Sequence, residues 1–192
     1  MSIGRRSYCT LVLLLLLLCA GARAQSRYIG VFNSMKGMGV AYVSDRPSGS
    51  EMLALDLYVD MFGVFSGRTR DVGVAADMHW NYVLDYTEWE YASLTLYSGP
   101  GFLLGYVHDY ERHFFSHSVE TAKKMGAVVA LSGDIGLLAD FFDKRLSLDL
   151  RLSINPGLHI RRDNNDVGWL VAMYKRGLYY AFTPQLNICY RF

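Results

Sequence analysis

From Arg145 to Asn155 apolar and polar residues alternate one for one. Leu146, Leu148, Leu150, Leu152 and Ile154 are separated by Ser147, Asp149, Arg151 and Ser153. Helical spacing would scatter those charges around a cylinder, whereas a strand puts all of them on one face. The same period of two runs through Met52–Phe62, where Leu53, Leu55, Leu57, Val59 and Met61 lie opposite Ala54, Asp56, Tyr58 and Asp60. In Asp71–Val83, the face with Val72, Val74, Ala76, Met78, Trp80 and Tyr82 opposes Gly73, Ala75, Asp77, His79 and Asn81. The last stretch sets Leu186, Ile188, Tyr190 and Phe192 against Gln185, Asn187 and Arg191.

The pattern predicts eight strands, at about 27–34, 37–45, 52–64, 71–83, 90–107, 126–139, 145–160 and 178–192. The first two could merge around Asn33–Gly37. A bulge or bend is expected at Gly99-Pro100-Gly101, because proline removes a ladder donor. Residues 167–175 read as part of a hairpin-like loop, and the one helical turn expected is near Val119–Lys124.

A period of two also suits a soluble sandwich or a lipocalin-like barrel. The polar face, however, carries charges in several strands, which is costly in a dry core and tolerable in a polar barrel interior. Strands of this length match the ~9–11 residues that cross a bilayer at a tilt. In lipid every backbone group needs a partner, so a closed barrel is the one β solution. The expected fold is therefore all-β, an eight-stranded antiparallel transmembrane β-barrel with an up-and-down meander. Placing Phe192 on the periplasmic side makes 46–51, 84–89 and 140–144 short turns and puts the long loops 108–125 and 161–177 outside. That asymmetry is usual for outer-membrane barrels.

Composition changes the picture in one respect. The chain has 192 residues, 52% of them hydrophobic, yet past residue 24 no long apolar run occurs. Met1–Ala24 has a basic start at Arg5 and Arg6, an apolar stretch Leu11–Ala20 and the exit Ala22-Arg23-Ala24. That is the layout of a cleaved secretory signal peptide, shorter than a spanning helix needs. The expected domains are thus 1–24, removed, and 25–192, the barrel. Cleavage would take away Arg5, Arg6 and Arg23 and no acid, turning the formal charge of +1 into −2. No basic excess supports nucleic-acid binding. Of three cysteines only Cys189 would remain, so no intrachain disulfide is expected.

The C-terminal Tyr190-Arg191-Phe192 resembles the terminal signature of bacterial outer-membrane β-barrels. Leu96-Tyr97-Ser98-Gly99-Pro100-Gly101…Gly105-Tyr106 and Tyr174-Lys175-Arg176-Gly177-Leu178-Tyr179 are similar to small uncharacterised barrels of Bacteroides-type bacteria, within the OmpA/OmpX-like class. The resemblance implies a Gram-negative cell outer membrane, with Leu186, Ile188, Tyr190 and Phe192 as the assembly signal. It also implies periplasmic chaperones and the barrel-assembly machinery as partners during biogenesis, and outer-membrane lipids afterwards. No catalytic residue and no cofactor follow from it. A structural or surface-interaction role is expected, the plugged barrel presenting its loops to a surface partner that the sequence does not identify. A barrel-rim lipid- or peptide-processing enzyme and a narrow channel are the alternatives.

Candidate chemistry is thin. His108, His113 and His117, with Asp109 and Glu111, are weak metal or acid–base candidates, because no spacing among them is diagnostic. Asp163-Asn164-Asn165-Asp166 is an oxygen-rich turn without the full calcium-loop ligand series. Asp56, Asp60, Asp77, His79, Asp134, Asp149, Arg151 and Arg191 are expected inside the barrel as a cross-barrel network. Acids exceed bases in that set, so at least one carboxylate is expected to keep a proton or a water shell. Trp80, Tyr82, Trp89, Tyr91, Phe141, Phe142, Tyr190 and Phe192 are expected to gather near the periplasmic edge, and Phe62, Phe65, Tyr106 and Trp169 near the other.

Overall fold

A computed structural model describes residues 27–45, 49–61, 64, 71–109, 125–142, 145–162 and 168–192. The signal segment, most of loop 108–125, and Phe62, Phe65, His113, His117 and 163–166 fall outside the described residues, as does the turn expected near Val119–Lys124.

Ten strand segments follow one another as β1 (Arg27–Ser34), β2 (Gly37–Asp45), β3 (Glu51–Asp60), β4 (Gly73–Glu88), β5 (Ala92–Val107), β6 (Gly126–Phe141), β7 (Leu146–Ile154), β8 (Gly157–Arg162), β9 (Trp169–Met173) and β10 (Gln185–Arg191). They make eight staves. β7 and β8 pair with β6 in one unbroken register, so they form a single stave that Pro156 interrupts only locally. β9 pairs with β8 and β10 with β7, so these two are halves of the eighth stave. β10 then pairs antiparallel with β1, which closes an up-and-down barrel.

The register measures the stagger. Asn187 faces Phe32 on one side and Asp149 on the other. Stepping from Phe32 through Gly39, Tyr58, Ala75, Gly105 and Val128 arrives at His159. His159 lies ten residues along the same stave from Asp149. Eight staves with a stagger of ten tilt the strands by about 40° and leave an interior just wide enough for side chains.

Both chain ends of the barrel meet at one rim, where the Phe192 N–H donates to the Arg27 carbonyl at 3.1 Å. We call this the terminal end, and the opposite rim, which carries the connections 61–72, 108–125 and 163–168, the loop end. Short turns at the terminal end and, apart from the tight turn between Ser34 and Gly37, longer connections at the loop end match the asymmetry read from the sequence.

One point left open is resolved, and three local expectations are corrected. The first two strands do not merge: Ser34 pairs with Gly37 across a tight turn. Gly37 has φ +155°, and a Cβ there would overlap the Val59 carbonyl. The irregularity between β4 and β5 falls between Val83 and Asp85, not at Pro100. β5 keeps its register with β6 through Gly99, Pro100 and Gly101, because Pro100 faces outward and loses bonds only toward β4. β4 also continues to Glu88, which moves the turn expected at 84–89 to residues 89–91. Finally, 169–173 is strand rather than loop, which narrows the outer connection expected at 161–177, and much of 178–184 is not strand. Six residues of the seventh stave, 152–157, face eleven of the eighth, 174–184. The excess coils into a short helix, α1 (Lys175–Tyr179).

Burial is inverted relative to a soluble barrel. Among the described residues, 24 polar or charged side chains are buried against 17 apolar ones, while 37 large apolar side chains are exposed. On β7 the alternation holds residue by residue: Ser147, Asp149, Arg151 and Ser153 are buried, while Leu148, Leu150 and Ile154 are exposed. Two apolar layers lie inside, Phe32, Tyr58, Leu103 and Tyr174 toward the loop end, and Tyr28, Met52, Tyr97 and Leu138 toward the terminal end. No helix among the described residues is long and apolar enough to cross a membrane, which bears on helices alone.

Candidate functional site in the barrel interior

Arg151 is the hub between the two apolar layers. Its stave points every second residue inward, and the guanidinium reaches neighbours on several others. It donates to Asp56 Oδ2 at 2.9 Å, to Asp149 Oδ2 at 2.9 Å and to the Tyr97 hydroxyl at 3.0 Å, and it faces Asp134 at 3.6 Å. Gln185 donates to Asp56 at 2.8 Å and to Asn187 at 3.0 Å, while Asn187 in turn donates to Asp149. A planar fork with five donors suits this role better than a point-charge ammonium. Lys36 supplies the next positive charge: its ammonium folds inward from the β1–β2 turn and donates to Ser153 Oγ at 2.6 Å. Burial lowers its pKa from 10.5 to about 8. Four carboxylates, Asp56, Asp77, Asp134 and Asp149, thus share Arg151 and Lys36. Asp56, Asp77 and Asp134 each keep one oxygen without a hydrogen-bond partner among the described residues.

His79 connects this hub to a second chain. Its Nε2 lies 2.6 Å from Ser132 Oγ and 3.5 Å from Asp77, and its Nδ1 lies 3.6 Å from Asp134. Serine, histidine and aspartate in that order resemble a hydrolase triad. The surroundings do not. Asn155 and Asp77 also bond the Ser132 hydroxyl, and all of these side chains are buried, so no face of the hydroxyl is left for a substrate carbonyl. The grouping acts as a hydrogen-bonded strut across the barrel.

Toward the loop end, α1 turns into the lumen and is fixed from three sides. Arg176 pairs with Asp60 at 2.5 Å, donates to the His108 carbonyl at 3.0 Å and reaches the Lys36 carbonyl at 3.5 Å. Asp109 accepts from the Lys175 and Arg176 backbone N–H groups, each at 2.9 Å. The first four N–H groups of a helix have no intrahelical partner, and this carboxylate satisfies two of them. Tyr174 and Ala181 are buried at either end of the segment. The inserted turn therefore lies inside the mouth.

Asp56, Asp60, Asp77, His79, Asp134, Asp149 and Arg151 all face inward and are buried, and all but Asp60 belong to the central network. Asp60 binds Arg176 at the loop end instead. Arg191 sits apart from the hub, half-buried at the terminal mouth, its guanidinium 5.3 Å from the Tyr28 ring centre. His108 is buried, with desolvation lowering its pKa, and Asp109 is committed to the α1 backbone, so neither stands at an open rim. Among the described residues, no group of three or more His, Cys, Asp or Glu is placed to hold a metal. Leu186, Ile188, Tyr190 and Phe192 all face outward. Sequence reasoning leaves out Tyr97, Gln185, Asn187 and Ser132, whose inward parity is visible in the pattern. It also leaves out Lys36 and Arg176, which come from turns where alternation says nothing.

Neither a protein-family model nor a curated protein matches the chain. It is similar to the crystal structure of a major outer membrane protein from Thermus thermophilus. That likeness has 14% identity over 88% of this chain and 100% of that one, with a TM-score of 0.45. At that level it carries no functional argument. The fold rests on register, closure and burial: this chain is an eight-stave closed β-barrel.

Proposed function

We propose that the protein is an integral outer-membrane barrel of the small OmpA/OmpX-like type, structural or surface-interacting, with the connections 108–125 and 163–168 facing outside. The observation that carries this reading is the inverted burial. Polar groups gather inside and bond largely to one another, while Val129, Leu131, Leu148, Leu150, Ile154, Leu186 and Ile188 face out. A contiguous apolar wall of this extent finds no favourable contact in water. On β5 the outward positions run from Leu94 to Tyr106. Thirteen residues at that tilt span roughly 30 Å along the barrel axis, enough for the ~25 Å apolar band of such barrels. Trp89, Tyr91, Phe142, Tyr190 and Phe192 stand exposed toward the terminal end, and Tyr106 and Trp169 toward the loop end, where interfacial rings belong.

The mechanism is passive. The Arg151 hub and the α1 plug occupy the lumen, so the barrel works as a rigid mount for its loops rather than as a conduit. The test is migration of the refolded protein on cold gels with and without boiling, combined with flotation on phosphatidylcholine vesicles. A compact, heat-sensitive band that floats with the vesicles is expected. A protein that stays folded and monodisperse in buffer without detergent would overturn the proposal.

A further inference from the structure

At the terminal mouth, below the second apolar layer, lies a cavity of about 290 Å³ that the central network does not use. Its walls combine two carboxylates, Asp45 and Asp140, with the Tyr28 and Tyr86 rings and an apolar floor that includes Met52 and Leu138. Asp140 is buried and held by Ser93 and Ser147. Asp45 is bonded by the Tyr28 hydroxyl, yet its Oδ1 is buried and has no hydrogen-bond partner among the described residues. Among the described residues Arg191 is the cation that acts on Asp45, and its guanidinium is stacked on Tyr28. The described lining residues thus set two acids against one base, an excess of one negative charge.

We propose that this cavity is a binding site for a primary ammonium group on a short apolar chain. The ammonium carries three donors, one for Asp45 Oδ1 and one for the Asp140 side, and the aromatic walls favour a cation over a neutral group. The apolar stem covers Met52 and Leu138. The volume lies at the lower edge of the ~300–1,000 Å³ of ordinary small-molecule sites, so the ligand is small. An anion meets two carboxylates, and a neutral alcohol offers the Asp45 oxygen one uncharged hydrogen bond, with no second donor for the Asp140 side and no charge to offset the acids. The site opens at the rim and does not depend on the membrane reading.

The test uses the full barrel refolded in detergent with labelled methionine methyl groups, read by NMR at Met52. n-Pentylamine is the probe, with n-pentanol and pentanoate as neutral and anionic counterparts. A saturable Met52 shift is expected with the amine, with pentanol at least about tenfold weaker and pentanoate silent. Asp45→Asn should weaken the amine by a similar factor. Leu138→Trp, which fills the cavity without changing charge, should abolish the shift. N-acetyl-lysine amide separates the sources: if it matches n-pentylamine, a lysyl side chain of a peptide fits as well, and if it fails, the site takes free amines. An amine response equal to that of pentanol would overturn the proposal on the wild-type protein alone. A response unchanged in Asp45→Asn would do the same.

Discussion

Replacing Arg151 by methionine keeps a long flexible side chain at the centre of the barrel and removes its charge. Arg151 is only 1% exposed, and it holds Asp56 and Asp149 at 2.9 Å each and the Tyr97 hydroxyl at 3.0 Å. The wild-type protein has already lost the hydration of these groups on folding, and their mutual bonds offset that cost. In Arg151→Met the carboxylates stay buried and their partner is gone, which costs about 3–5 kcal/mol for a buried pair. Lys36 cannot take over, because its ammonium is committed to Ser153 on the loop side. Adding Asp56→Asn and Asp149→Asn removes the stranded charges. The triple variant should therefore recover most of the loss, to within about 1–2 kcal/mol of wild type. Urea unfolding in phosphocholine vesicles, followed by tryptophan fluorescence, measures all three proteins. An Arg151→Met stability within about 1 kcal/mol of wild type would refute the assignment of Arg151 as the hub. So would a triple variant no more stable than the single one.

Three further outcomes follow from the interior. A Cβ at Gly136 would overlap the Tyr97 ring, which donates to Asp149, so Gly136→Ala should displace that ring and cost about 1–3 kcal/mol in the same urea assay. Lys36 has its folded-state pKa lowered to about 8 by burial, while the unfolded chain keeps the ordinary value. Between about pH 8 and 10.5 the unfolded chain binds the extra proton, so this group makes stability rise with pH, by at most about 3 kcal/mol, and Lys36→Met should flatten that rise relative to wild type. Asp109→Ala removes the acceptor of two α1 N–H groups, so amide exchange at Lys175 and Arg176 should accelerate by about tenfold or more while β7 and β10 stay protected.

Alternation makes the barrel legible because a strand's side-chain period does not depend on its neighbours. It puts Asp56, Asp77, Asp134, Asp149 and Arg151 inside, and Leu186, Ile188, Tyr190 and Phe192 outside, as the structure does. It fails wherever a folded insertion breaks the period of two. Residues 174–184 carry Tyr174, Arg176 and Ala181 into the lumen through a helical turn. Nothing in Lys175-Arg176-Gly177 reveals that Asp60, 116 positions earlier in the chain, will receive the arginine. Lys36 is hidden for the same reason, since a turn aims its side chain by its own dihedral angles. Arg191 follows the parity but not the depth: next to last in the chain, it reaches the mouth and its aromatic partner Tyr28 rather than the hub. The irregularity near Leu84 escapes the sequence because Pro100 is the more conspicuous breaker, although its outward-facing position lets β5 keep its bonds to β6.

An inside-out closed barrel whose apolar wall meets lipid should show its two faces residue by residue along β7. Spin labels placed singly at Ser147, Leu148, Leu150, Ser153 and Ile154, in a Cys189→Ser background reconstituted in vesicles, test it most directly. Accessibility to oxygen should alternate along β7, high at Leu148, Leu150 and Ile154 and low at Ser147 and Ser153, with a water-soluble nickel reagent excluded from the lipid-facing sites. Leucine positions open to the nickel reagent and closed to oxygen would contradict the account.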